Sequence, residues 1–284
     1  MKKILITLLL VLSTHAFADI NDIKSANNQV GIQLITSDID YKEKLSDGTT
    51  ANTEKGYVPG FGLSISAMKD LLLGNDYFLA KFSRLDGKTN YTGAYNLGGY
   101  NSGDLSQKDD AEFLDLNLRY GKGFELTNNF LLTPFLELGY HRWERDLGQV
   151  CAAGIIRGCS SKEKYKNNYY GIGGLAQSSI TKELTLTLNG LIGRTFSSKI
   201  SGTTNSPNNV GNFGDQDLGD DLIYKVGVSA DYKFTEKIHG NFGYEYTDFK
   251  YGKSNDFNSG GVSVYEPNSK SKYSTFNIGI GYGF

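Results

Sequence analysis

A chain of 284 residues balances 29 Lys and Arg against 31 Asp and Glu, for a net charge of −2, and no basic surface for a nucleic-acid partner follows from that balance. Past residue 18 no stretch approaches eighteen consecutive apolar residues, which excludes a helical membrane span. The length fits a single domain if the chain is all-β.

The opening "MKKILITLLLVLSTHAFA" sets Lys2 and Lys3 before an apolar core from Ile4 to Leu12 and an Ala16-Phe17-Ala18 site. That layout is a secretory signal peptide, so residues 1–18 are set apart and 19–284 form the mature domain. The alternative, an uncleaved anchor, needs about 20 apolar residues, more than are present.

Apolar residues then recur with a period of two, the strand signature. The first five runs are Val30, Ile32, Leu34; Tyr57, Phe61, Leu63, Ile65; Phe78, Ala80, Phe82; Leu114, Leu116, Leu118, Tyr120; and Leu132, Leu136, Leu138, Tyr140. Cys151 and Cys159 follow. In an exported chain they are expected to form a disulfide, a loop staple of about 2–3 kcal/mol in the chain-entropy account. Metal ligation is the alternative, but no His or third Cys lies near them.

The sixth run is glycine-rich, with Tyr170, Ile172 and Ala176. Leu184, Leu186, Leu188 and Ile192 make the seventh, and Leu222 to Phe234 the long eighth. Ile238, Phe242, Tyr244 and Tyr246 precede the last, "TFNIGIGYGF". No segment after residue 18 shows a sustained helical period.

Ten strands result, with eight or twelve as alternatives, and their connections alternate in kind. Segments 42–55, 86–109, 144–164, 198–219 and 251–270 are long and rich in Gly, Asn, Ser, Asp and Lys, whereas those near 69–75, 127–129, 181–183 and 235–237 are short. Short turns at one end and long loops at the other describe a closed, antiparallel, up-and-down transmembrane β-barrel. Both termini then lie on the periplasmic side. A soluble β-sandwich would also have apolar faces, but it has no reason to alternate its connections so.

The last run puts Phe276, Ile278, Ile280, Tyr282 and Phe284 on one face and Asn277 with glycines on the other. An apolar face meeting lipid and a small or polar face meeting the lumen explain that contrast. The run resembles the carboxy-terminal signature of bacterial outer-membrane β-barrel proteins. That resemblance implies that the assembly machinery reads Ile280, Tyr282 and Phe284. Tyr57, Tyr120, Tyr140, Tyr224, Tyr232, Tyr244, Tyr246 and Tyr282 fall on the outward face, where aromatic girdles sit at the two interfaces.

On the inward face, a hairpin centred on Asn128 sets Arg119 opposite Glu137 and Asp115 opposite His141, close enough to interact; a register slipped by two residues would keep the faces and change the partners. Lys225, Ser229, Asp231, Lys233, His239, Asn241 and Glu245 also point inward. Such groups form a proton relay, a substrate site or a selectivity ring, or they simply fill a small barrel, whose interior is packed with side chains.

The stretch "EFLDLNLRYGKGFELTNNFLLTPFLELGYHRWERD" (112–146) is similar in layout to the central hairpin of the omptin proteases, and "YKVGVSADYKF" to one of their later strands. Omptins carry an Asp-x-Asp pair on the second long loop and an Asp-x-His pair on the fourth. Here the second has no Asp-x-Asp, although Asp109 and Asp110 stand adjacent, and the fourth has Asp215-Gln216-Asp217 without His. Without that imidazole no group of the fourth loop is suited to general-base work near neutrality. Asp215, Asp217, Asp220 and Asp221 lack the order of an EF-hand, and the glycines of "GIGGLA" and "GIGYGF" lie in strands, so neither a metal nor a cofactor is expected. The loops are similar to those of opacity-type adhesins.

The expectation is a monomeric outer-membrane protein of a Gram-negative cell, without catalytic residues, in which extracellular loops carry a surface-binding or structural role. Its partners would be outer-membrane lipid and lipopolysaccharide, the assembly machinery and an extracellular ligand. A small-solute channel is the alternative, and an omptin-like protease a further one.

Overall fold

The computed structural model describes residues 18–93, 105–148, 160–206, 209–259 and 262–284. Residues 1–17 of the expected leader, Cys151 and Cys159 lie outside the described residues. The chain runs through α1 (Ile20–Ala26), β1 (Gln29–Lys44), β2 (Thr50–Lys69), β3 (Asp76–Gly93), β4 (Leu105–Lys122), β5 (Phe124–Thr127) and β6 (Phe130–Leu147). It continues through β7 (Ser160–Ser179), β8 (Leu184–Ser206), β9 (Asn209–Asp217), β10 (Leu222–Lys233), β11 (Ile238–Tyr251), β12 (Phe257–Ser259), β13 (Val262–Val264) and β14 (Asn268–Gly283).

Antiparallel pairing runs β1-β2-β3-β4-β6-β7-β8, then from β8 to β10, β11 and β14. β14 pairs back onto β1, with Val30 opposite Tyr282, Ile32 opposite Ile280 and Leu34 opposite Ile278. The ring therefore closes as a ten-membered barrel in which β5 prolongs β4, and β9 pairs with the far part of β8. Closure leaves the ten-membered ring itself without a free edge among the described residues, the condition a sheet must meet in hydrocarbon.

Long strands such as β4 and β1 carry two patterns in succession. On β4, Leu114, Leu116, Leu118 and Tyr120 point outward while Asp115, Asn117 and Arg119 point inward; beyond Phe113 the faces exchange character. Phe113 and Ala111 are buried inside, and Glu112, Asp110 and Lys108 stand outside. β1 repeats this: exposed Val30, Ile32 and Leu34 give way to Asp38, Asp40 and Lys42 outside, with Ile39 and Tyr41 buried within. The barrel thus has an apolar outer belt near the end that holds α1 and Phe284, the terminal rim. Toward the other end, the loop rim, it has a polar outside and an aromatic core.

This exchange corrects the expected loop boundaries. Much of 42–55, 86–109, 144–164 and 198–219 is strand: β1 and β2 are joined by residues 45–49 alone, and β8 runs to Ser206. Within 251–270, β12 and β13 form a small separate hairpin. Outward apolar residues end where the belt ends, so a reading that follows them stops while the strand continues with the opposite polarity. The expected absence of helix is corrected too, since α1 forms seven residues after Asp19. Asp19 accepts from Asn21 N–H while Asp22 reaches back to the Asp19 N–H, a capping arrangement that satisfies orphan donors of the first turn.

Candidate functional site in the lumen

Inward side chains fill the lumen in successive layers. At the terminal rim α1 sits in the barrel mouth with Ile23 fully buried. Asp22 pairs with Lys233 at 2.9 Å and Lys24 with Glu125 at 3.0 Å. The carboxamides of Asn27 and Gln177 donate to each other at 2.8 and 3.0 Å. His239 Nδ1 lies 2.6 Å from Asp231, which also accepts from Gln29 at 2.9 Å.

Above α1 lies a polar cavity of about 210 Å³, lined among others by Lys81, Asn117, Asn189, Asp231 and Glu245. Its wall holds an ion cluster. Glu137, nearly fully buried, accepts from Arg119 at 2.5 Å and from Lys225 at 3.2 Å, and Tyr169 donates to it at 2.7 Å. Lys225 also donates to the Tyr169 hydroxyl at 2.5 Å, and Asn189 donates to Glu245 at 3.2 Å. The Tyr169 ring enters the lumen through the space over Gly139, where a Cβ would lie 2.1 Å from it.

The next layer pairs His141 Nδ1 with Asp115 at 2.7 Å, the imidazole being packed among the rings of Phe113, Phe249 and Tyr273. β4 and β6 place Arg119 opposite Glu137 and Asp115 opposite His141, the register that a turn centred on Asn128 imposes. The site residues named from the sequence therefore fall into three groups: Arg119, Glu137 and Lys225 together, Asp115 with His141, and Asp231 with His239. Glu245 lines the cavity beside the first group. Ile280, Tyr282 and Phe284 point outward from the last strand and are exposed.

The layer nearest the loop rim was not anticipated. Arg145, 4 % exposed, bonds Glu43 at 3.1 Å, Glu54 at 3.0 Å and Glu163 at 2.7 Å, with the Tyr165 hydroxyl at 2.9 Å. Tyr41, Trp143 and Tyr165 surround the guanidinium. Trp143 stacks on Phe113 and Tyr165 at 5.6 and 5.2 Å, and such pairs add about 0.5–1.5 kcal/mol each beyond their burial.

Glu266, from the segment that follows β13, closes this layer by accepting from Tyr165 at 2.8 Å and Tyr41 at 3.3 Å. It stands well outside the belt. Burial, then the charges of Glu43 and Glu163, hold its carboxyl far above the ordinary range. Burial and the charge of Glu54 push Asp109, also beyond the belt, up to about 7. The signal for these residues was the inward parity continued past Trp143, which leads directly to Arg145.

The acidic groups considered for catalysis are dispersed. Asp109 points inward and Asp110 outward to Lys88 at 2.5 Å, as neighbours on a strand must. Asp215 pairs with Lys166 at 2.8 Å and Asp217 with Lys199 at 3.7 Å.

The chain matches no protein-family model and no curated protein sequence. Among solved structures it is similar to the outer membrane protease OmpT from Escherichia coli, with a TM-score of 0.53 and 11% identity over 96% of this chain and 100% of that one. Weaker similarities are to the translocator domain of the autotransporter NalP from Neisseria meningitidis (TM-score 0.42, 12% identity, 93% and 92% covered) and to the outer membrane protein OprG from Pseudomonas aeruginosa (0.37, 15%, 90% and 96%). The first of these likenesses supports the architecture alone: a closed, ten-stranded, antiparallel β-barrel.

Proposed function

We propose that this chain is an integral outer-membrane protein with a non-enzymatic surface-binding or structural role. The terminal rim would stand in the periplasm and the loop rim outside the cell. The observation that carries the reading is the filling of the lumen from α1 through the Glu137 cluster to Arg145 and Glu266, which makes the barrel a closed stand for its outer rim. Closure and the apolar belt suit lipid and lipopolysaccharide as surroundings, and the exposed Ile280, Tyr282 and Phe284 suit recognition by the assembly machinery. A bridge between Cys151 and Cys159 would restrict one outer loop, where an extracellular ligand would meet a monomeric barrel. The pairing of Asp215 and Asp217 with lysines favours this over an omptin-like protease.

A second reading, a small-solute channel, is favoured by one observation, the polar cavity beside Glu137. Conductance of the refolded barrel in a planar bilayer separates the two. The expected outcome is silence for the native chain and for Glu137→Ala and His141→Ala. Steady conductance that changes with either substitution would install the channel in its place.

A further inference from the structure

The turn joining β2 to β3, residues 70–75, projects three consecutive leucines from the terminal rim. Leu71, Leu72 and Leu73 are 64%, 80% and 58% exposed, and beside them β5 presents Phe124 and Leu126, themselves 46% and 57% exposed. Apolar side chains massed this way mark a surface with a partner.

The backbone of the same turn says which partner. The N–H groups of Leu71, Leu72 and Leu73 all donate to the carboxylate of Asp76, at 3.0, 2.8 and 3.0 Å. Asp76 is buried and takes a further bond from the Tyr120 hydroxyl at 2.8 Å. The Asn75 N–H donates to Asp70 at 2.7 Å. The carbonyls of Leu73 and Gly74 accept from the Lys122 ammonium, and that of Asn75 from Gly123 N–H at 2.8 Å. Gly74 and Asn75 adopt the left-handed conformation that turns the chain, with φ of 75° and 53°.

In water these groups would need no such provision, because solvent supplies partners. In hydrocarbon each backbone donor and acceptor must be met from within the protein. The patch also continues the apolar belt, whose outward Phe78 lies just beyond the turn on β3. Lys69 lies over the Phe284 ring and Lys122 over the Phe124 ring, both at 5.6 Å. Long cationic side chains and aromatic rings are the residues that occupy the headgroup level of a bilayer.

We infer that residues 70–75 form a lipid wedge: Leu71, Leu72 and Leu73, with Phe124 and Leu126, insert into the acyl region of the phospholipid leaflet at the terminal rim. Asp76 supplies the hydrogen bonds that water cannot supply there. The inference rests on the membrane reading above, and its test keeps the two apart.

The mature barrel is reconstituted in nanodiscs of phosphatidylcholine brominated on its acyl chains, with unbrominated discs as reference. Leu72→Trp and, separately, Val226→Trp on the belt are compared over the constant emission of Trp143, which is buried inside the barrel. The expected result is that bromine quenches both added indoles to a similar extent and that aqueous acrylamide reaches neither. With Asp76→Ala added, Leu72→Trp should lose much of its bromine quenching while Val226→Trp keeps it. Quenching of Val226→Trp alone, with Leu72→Trp open to acrylamide, overturns the wedge. Failure of bromine to quench Val226→Trp overturns the membrane reading itself.

Discussion

At Glu137 two cations and a phenol converge on one carboxylate that solvent scarcely reaches. Their attraction is strong only because water is excluded, and the same exclusion makes a widowed charge costly. Glu137→Ala deprives Arg119 and Lys225 of the carboxylate both of them bond, and should cost about 3–5 kcal/mol of stability. Urea unfolding of the detergent-refolded barrel checks this; a cost near that of an exposed pair such as Lys88–Asp110 would mean the cluster is hydrated. Both partners of the Arg119 pair were readable from the chain, because a short turn fixes the register of the hairpin it joins. Lys225 and Tyr169 were brought to them from β10 and β7, which sequence spacing does not relate.

Single elements show where polarity decides the outcome. On β10, Val226 points outward and is 57% exposed, whereas Ser229 lines the cavity. Val226→Arg should therefore block assembly into liposomes, with a cost of about 2–4 kcal/mol near mid-bilayer, while Ser229→Arg is tolerated far better. Equal yields of heat-modifiable barrel from the two would refute the faces. The segment 252–267 is pinned by Ser254, whose N–H donates to the Glu266 carbonyl at 3.0 Å, and by Glu266 itself on Tyr165 and Tyr41. Glu266 and Asp109 both have raised values in the folded chain, so their contribution is complete below the ordinary carboxylate range and declines as pH rises. For Asp109 the loss ends near pH 7, and Glu266, whose carboxyl is likewise raised by burial, loses its contribution in the same sense. Emission of Trp143, the single tryptophan, should shift to the red as pH increases through that window. Glu266→Gln should reduce the shift; an unchanged profile would exclude Glu266 as a source of it. Of these elements, the belt half of the long strands was legible and the outer half was not, since Lys42, Glu43 and Lys44 look like a loop until Tyr41 and Glu43 are seen packing inside. α1 is too short to show a period, and its only advance notice was Asp19 followed three residues later by Asp22.

In the whole molecule the two polarity patterns build one tube with two environments. The belt half sets an apolar outside over a polar lumen, and the outer half a polar outside over an aromatic lumen that encloses the Arg145 cluster, an arrangement suited to hydrocarbon around one part and water around the other. The sequence by itself pointed to about ten strands, to a last strand that closes the ring, to the outward apolar faces and, for a hairpin centred on Asn128, to the Arg119–Glu137 and Asp115–His141 pairs. All of these follow from a local period of two and from short turns. Only the tertiary structure decided that the lumen is filled, that α1 occupies one mouth, that Arg145 gathers carboxylates from β1, β2 and β7, and that Leu71 to Leu73 stand on a turn with its own hydrogen-bond supply. Those features depend on ring closure, which brings distant strands across the lumen and adjacent turns together at the rim, and no local spacing encodes which residues then meet.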